Sequence, residues 1–257
     1  MYNDLFSIGP FTVHSYGLMI AIGVLAALFT GEARAKKRKM NADVLYSMTF
    51  LSVFFGFVGA KILFCIVEWK SFLESPASVL SSNGFVVYGG IFAGAFTAYL
   101  YCRIKKLVFL DYFDLMLPSV ALAQGFGRIG CFLAGCCYGR ETDSAWGIAF
   151  TNSGFAPNGV KLIPTQLISS AGMFVIAAVL FWYAAKPRKK GRVGALYLIL
   201  YSIGRFSVEF LRNDYRGEVG IFSTSQFIAL FTFAAGIVLF IRFGKKKALS
   251  DKEQEKE

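Results

Sequence analysis

Charge and histidine are scarce in this sequence. Charged residues occupy 17% of its 257 positions, where a soluble domain carries about 25%. His14 is the single histidine. No Ser-His-Asp set, phosphate-binding glycine loop or His-Glu-x-x-His sequence is present. These absences argue against histidine-based acyl hydrolysis, P-loop nucleotide chemistry and helical zinc proteases. No internal repeat stands out, and no polar segment is long enough for a second soluble domain.

What fills the chain is apolar: 56% of residues are hydrophobic. The apolar runs are continuous rather than alternating, and each matches the roughly 20 residues of helix that cross about 30 Å of hydrocarbon. In lipid a helix satisfies its own backbone. The sequence therefore predicts an all-α integral membrane protein, a seven-transmembrane-helix bundle with spans at about 12–31, 44–68, 84–102, 111–137, 165–185, 193–211 and 223–243. Residues 1–247 read as one transmembrane domain, and 248–257 as a disordered, charged cytoplasmic tail. The first apolar run begins near residue 11 without a basic stretch before it, so it reads as a true span rather than a cleaved signal peptide.

The loops set the orientation. Arg34, Lys36, Lys37, Arg38 and Lys39 follow the first span; Arg103, Lys105 and Lys106 follow the third. Lys186, Arg188, Lys189, Lys190 and Arg192 follow the fifth, and Arg242, Lys245, Lys246 and Lys247 the last. The opposite side holds Lys70, Arg140, Lys161, Arg212 and Arg216. Basic loops stay cytoplasmic, which places the N-terminus outside and the C-terminus inside. The net charge of +11 then lies against the anionic inner leaflet, and no nucleic-acid partner is expected. Two further lysines, Lys252 and Lys256, fall in the tail.

Three basic residues fall inside predicted spans: Lys61, Arg128 and Arg205. Each costs at least about 2.5–3.5 kcal/mol at a helix centre, so each needs an ion pair, an escape to the interface or a task. At 1.5 Å per residue they lie about 10, 14 and 9 Å below the outer ends of their spans, in the outer half of the membrane. Glu209 follows Arg205 by one turn and shares its face. Gln124 lies one turn below Arg128. Tyr16 and Tyr88 sit near outer helix ends. A cationic pocket at this depth suits the phosphate of a lipid headgroup, which arginine grips with paired hydrogen bonds. Small residues surround these groups: Gly127 and Gly130 beside Arg128, Gly56, Gly59 and Ala60 before Lys61, and Gly89, Gly90 and Gly94 on the third span. They serve close helix packing, or leave room for a headgroup.

Of five cysteines, Cys131, Cys136 and Cys137 gather at the outer end of the fourth span, whereas Cys65 and Cys102 lie elsewhere. The spacing C-x4-C-C matches no standard zinc pattern. Packing thiols, a redox pair and a metal site all stay open as readings; no resident metal or cofactor is expected.

The run Gly127-Arg128-Ile129-Gly130-Cys131-Phe132-Leu133-Ala134-Gly135-Cys136-Cys137-Tyr138-Gly139-Arg140 resembles the signature of the prolipoprotein diacylglyceryl transferases. So do Tyr16-Gly17-Leu18-Met19, Tyr88-Gly89-Gly90, Pro164-Thr165-Gln166-Leu167 and the stretch from Arg205 through Glu209 to Arg212. Order and spacing agree over residues 10 to 240. The resemblance implies a multi-pass enzyme of the bacterial inner membrane that moves diacylglyceryl from phosphatidylglycerol to the lipobox cysteine of a prolipoprotein signal peptide. It implies that Arg128 binds phosphatidylglycerol, that Arg205 is a second essential arginine, and that Tyr16 and Gly139 are functional. Taken with the depth of the polar residues, the candidate catalytic residues are Arg128, Arg205, Tyr88 and Glu209. Lipid contacts would come from Arg128, Tyr16, Gly139, Gln124, Lys61, Gly89 and Gly90. Four departures stand out. The family often has His where Tyr88 stands, Asn at Cys131 and Glu at Cys136; after Gln166-Leu167 it favours Tyr-Glu, here Ile168-Ser169. A phenol with a pKa of about 10 is a poor base, so the phosphate-binding half looks kept and the thiol-activating half altered. In the transferase reading, loop 139–164, with Trp146, Phe150 and Phe155, lies on the outer interface and guides the signal peptide. A membrane thiol oxidoreductase built on the three cysteines and a non-catalytic phosphatidylglycerol-binding or transport protein are the rival readings.

Overall fold

The computed structural model describes residues 4–8, 11–82, 84–213 and 218–245. The predicted tail over 248–257, with Lys252 and Lys256, lies outside the described residues, as do Arg216, Lys246 and Lys247. In chain order the elements are β1 (Asp4–Ile8), β2 (Phe11–His14), α1 (Ser15–Lys37), α2 (Ala42–Val67), α3 (Trp69–Glu74), α4 (Pro76–Ser81), α5 (Val87–Ile104), α6 (Phe109–Ala134), β3 (Ile148–Ala149), β4 (Lys161–Leu162), α7 (Thr165–Tyr183), α8 (Arg192–Glu209), β5 (Glu218–Val219), β6 (Phe222–Ser223) and α9 (Thr224–Lys245).

The seven long helices among these coincide with the seven apolar stretches read from the sequence. Five of them, α1, α2, α6, α7 and α9, are long and apolar enough to cross a membrane, as expected of a multi-pass membrane protein. The other two, α5 and α8, have 18 residues each. Polar side chains dilute them: α5 carries three tyrosines, and α8 carries Arg192, Arg205 and Glu209. Strands depart from the all-helical expectation. The pairs β1–β2, β3–β4 and β5–β6 are antiparallel two-stranded ribbons, built outside the helices, where the backbone needs partners.

The described chain forms two compact units. In the unit of residues 32–112, α2 and α5 pack face to face. Asn41 caps α2 by accepting the N–H of Asp43 at 2.8 Å, as an Asn N-cap should. The two helices meet through small residues. A Cβ at Gly59 would stand 2.7 Å from the Gly89 carbonyl, and one at Gly90 3.1 Å from the Gly56 carbonyl. The opposite faces expose Phe50, Phe54, Phe92 and Phe96, side chains suited to lipid rather than water.

The other unit, residues 1–31 and 113–257, is built on α6. A Cβ at Gly23 of α1 would stand 2.9 Å from the Ala123 carbonyl, and Thr30 donates to Ser119 at 2.8 Å. Leu117 and Ala121 of α6, Met173, Ala177 and Leu180 of α7, and Val193 of α8 form its apolar core. Ser170 of α7 donates to the Gly125 carbonyl of α6 at 2.9 Å. Helix α8 packs on α9, with Ser202 and Thr232 hydrogen-bonded at 2.7 Å. One polar group in this core went unremarked in the sequence. Asp114, 4% exposed, accepts the N–H groups of Gly191 and Gly194 at 2.6 and 2.9 Å. A carboxylate from α6 thus caps the N-terminus of α8, neutralising orphan donors and helix dipole together.

Candidate functional site

Helix α6 runs straight through Arg128 to Ala134 and stops there, short of the predicted end at 137. Gly135, at φ +74°, turns the chain out of the helix, as a C′ glycine does. Cys136 and Cys137 therefore lie in a turn beyond the helix. Cys137 is itself left-handed, φ +64°, an uncommon state for a non-glycine.

The start of α7 grips that turn. Thr165 donates to the Cys137 carbonyl at 2.7 Å and Gln166 to the Cys136 carbonyl at 2.8 Å. Both are fully buried. The sequence flagged this Thr-Gln pair without a role; its partners are backbone carbonyls, which no side-chain pattern reveals. Gly139 follows. Its N–H donates to Ile163 at 3.0 Å, and it bridges to Arg212 on its other side. A Cβ there would fall 2.6 Å from the Ile163 carbonyl and 2.8 Å from that of Leu211. Only glycine fits between the two backbones, so its place in the motif has a packing cause.

Between α6, α7 and α8 lies a cleft. Arg128 and Arg205 both line it, with Tyr201, Ser169 and Gly204, and apolar walls from Ile168, Met173, Ile176 and Val208. The two arginines differ in their partners. Arg205 pairs with Glu209 at 2.6 Å and donates to Ser225 at 2.6 Å, and Ser223 donates to the other Glu209 oxygen at 2.8 Å. Arg128 has no hydrogen bond or ion pair among the described residues. The cleft thus holds one charge-balanced arginine and one guanidinium without a carboxylate partner among the described residues. Gln124 accepts from Tyr197 at 2.8 Å, and Tyr197 stacks on Tyr201 of the cleft wall with centroids 5.6 Å apart. Tyr16 lies against Gly130, where a Cβ would stand 3.0 Å from its ring.

The remaining sequence-predicted residues belong to the 32–112 unit. Lys61 donates to the carbonyls of Ser82 and Gly84 at 2.7 and 3.3 Å, and its ammonium sits 5.0 and 5.1 Å from the Phe64 and Phe85 rings. It closes the turn before α5. Gly89 and Gly90 face Gly59 and Gly56 across the α2–α5 contact, and Tyr88 is exposed at the start of α5.

Loop 139–164 carries aromatics read from the sequence as an outer-surface guide for a signal peptide. Trp146 and Phe155 are exposed, 84% and 67%. Phe150 is not: it is wholly buried with Ala156 and Leu162 and meets Phe132 edge-on at 5.9 Å. It is the core of the loop, and its role as a guide is corrected accordingly.

The thiols converge. The sulfur atoms of Cys131, Cys136 and Cys137 all lie within 4.8 Å of one another. Hydrogen bonds from Cys131 and Cys136, then the guanidinium of Arg212, hold the Cys137 thiol below its ordinary range. Hydrogen bonding to its two neighbours, with burial, pushes that of Cys136 up.

The family model described as prolipoprotein diacylglyceryl transferase matches residues 3–242. The chain is similar to a phosphatidylglycerol–prolipoprotein diacylglyceryl transferase of Clostridium tetani, 49% identical over 92% of this chain and 95% of that one. It is similar to a second enzyme of that name from Clostridium perfringens, 48% identical over 89% and 90%, and to one from Finegoldia magna, 32% identical over 96% and 98%. The chain belongs to the prolipoprotein diacylglyceryl transferase family.

Proposed function

We propose that this protein transfers the diacylglyceryl group of phosphatidylglycerol to the thiol of a prolipoprotein lipobox cysteine, giving a thioether and glycerol phosphate. One observation carries the reading: Arg128, without a protein anion among the described residues, shares an apolar-walled cleft with Arg205. The acyl chains take the apolar walls, and the phosphodiester takes Arg128 and Arg205. Transfer breaks the bond between the glycerol carbon and the phosphate oxygen, and charge grows on that oxygen as glycerol phosphate departs. Fixed cations at that point stabilise the transition state more than the ground state. Glu209 holds Arg205 in place. The acceptor reacts as thiolate. Tyr16, beside Arg128 across Gly130, contacts the headgroup; Gln124 supports the wall through Tyr197. Tyr88, Gly89, Gly90 and Gly139 enter the proposal on resemblance alone, the last with its packing role, and Lys61 on its depth in the sequence alone.

In this reading all seven long helices cross the bacterial inner membrane. The N-terminus lies outside and the C-terminus in the cytoplasm, supported by the asymmetry of Lys and Arg among the loops. The cleft then opens toward the outer leaflet, where prolipoprotein signal peptides present their cysteine.

The test is incubation of purified protein in detergent with labelled phosphatidylglycerol and a lipobox peptide. A thioether-linked peptide with release of glycerol phosphate is the expected result. Lipid binding without turnover would overturn the enzymatic reading and leave a lipid-binding protein.

A further inference from the structure

The three thiols are the part of the site that the headgroup chemistry leaves unused. Their spacing in sequence argues against a metal, because no standard pattern reads C-x4-C-C. The fold removes that objection. Cys131 is on the last turn of α6, and the turn at Gly135 and Cys137, both left-handed, folds Cys136 and Cys137 back upon it. The Cys136 N–H donates to the Cys131 carbonyl at 3.1 Å, and Thr165 and Gln166 pin the two following carbonyls. The three sulfurs end within 4.8 Å of one another. Zinc–sulfur bonds of about 2.3 Å in a tetrahedron place sulfurs about 3.8 Å apart, so closure needs shifts of about 1 Å at most.

Charge points the same way. Three thiolates carry three negative charges, and a divalent cation with one arginine balances them. That arginine is present: Arg212, 7% exposed, hydrogen-bonds the Cys137 thiol. Cys131 is buried, whereas Cys136 and Cys137 are half-buried, which leaves a side of the triangle open. Three protein ligands with an open fourth position is the arrangement of catalytic rather than structural zinc.

We propose that Cys131, Cys136 and Cys137 form a site for one thiophilic divalent cation of the zinc class, whose fourth position takes the acceptor thiol. The second part rests on the transferase reading above. A thiol bound to such a cation gives up its proton, here to water. Its sulfur then attacks the glycerol carbon. The carbon–sulfur bond forms as the carbon–oxygen bond breaks, and that bond's electron pair leaves on the phosphate oxygen of glycerol phosphate. Cys131 follows Arg128 by three residues on α6, so the two share a helix face about 5–6 Å apart at Cβ. Nucleophile and phosphate would thus be held on adjacent turns. The task that the family resemblance leaves with Tyr88, a weak base, passes to the cation.

The experiment uses the full-length protein in detergent, reduced and stripped of metal, with Co2+ as spectroscopic probe. One Co2+ per chain with a sulfur-to-cobalt charge-transfer band is expected. Cys131→Ser, Cys136→Ser and Cys137→Ser should each weaken binding at least tenfold, and Cys65→Ser should not. Retained phosphatidylglycerol binding by each serine variant shows that it is folded. A lipobox peptide should perturb the cobalt band, and its serine counterpart should not. No stoichiometric band, or one that survives the triple serine variant, overturns the site. A band indifferent to the cysteine peptide overturns the acceptor role. Transfer assays on the same samples separate the two ideas. Full transfer by metal-stripped protein overturns the cation's part and leaves the transferase standing. A thiol-responsive band with no transfer at any metal content supports the site and overturns the transferase.

Discussion

Thr165 donates its hydroxyl to the carbonyl of Cys137 at 2.7 Å, from the first turn of α7 to a turn 28 residues earlier. This bond and its neighbour from Gln166 fix a segment whose Cys137 backbone is left-handed. Such a conformation persists only when its surroundings over-determine it.

Thr165→Val should therefore leave a buried carbonyl unpaired and cost about 1–3 kcal/mol. Thermal unfolding in detergent would show the loss. Thr165→Ser, which restores the donor, should recover most of it; no loss in the valine variant would mean that the turn is held by other contacts.

Glu209 and Arg205 form an ion pair whose side chains are 8% and 12% exposed. Removing the carboxylate leaves a buried cation, and breaking such a pair costs about 3–5 kcal/mol. Glu209→Ala should lose stability on that scale and lose transfer, since Arg205 is no longer aimed. Glu209→Gln should fold better than the alanine variant yet stay impaired in transfer. Wild-type turnover in Glu209→Gln would show that positioning of Arg205 does not limit the reaction.

Asp114 predicts a purely structural effect. Asp114→Ala leaves the N–H groups of Gly191 and Gly194 without their acceptor, and losing a cap costs about 1 kcal/mol or more. The melting temperature should fall, and lipid affinity of the folded fraction should hold. Loss of affinity without loss of stability would contradict that division.

Orientation has its own test. A reporter domain active only outside the cytoplasm, fused after residue 257, should be silent, and one placed at the N-terminus should be active. The reverse pattern would invert the proposed topology.

The sequence exposed its helices because lipid leaves little choice: long apolar runs become helices, and the stretches read from hydropathy fall on α1, α2, α5, α6, α7, α8 and α9. Arg128, Arg205 and Glu209 were legible for a related reason, the cost of charge in hydrocarbon. The glycines of α2 and α5 were legible as a small-residue pattern, and their contact confirms close packing. What stayed hidden depends on partners distant in sequence. Asp114 meets backbone 77 residues away, Thr165 and Gln166 meet carbonyls, and the three thiols converge only through a left-handed turn. Phe150 was misread because an aromatic in a loop suggests an interface, yet this loop has a core of its own.

The most direct measurement compares wild type with Arg128→Ala in two readouts, phosphatidylglycerol binding and diacylglyceryl transfer to a lipobox peptide. Removing a cation aimed at the departing phosphate should lower transfer by about 10²–10³-fold or more while the protein still inserts and folds. Arg128→Lys should recover only part of it, because lysine lacks the paired donors. Transfer at the wild-type rate by folded Arg128→Ala would contradict the account at its centre.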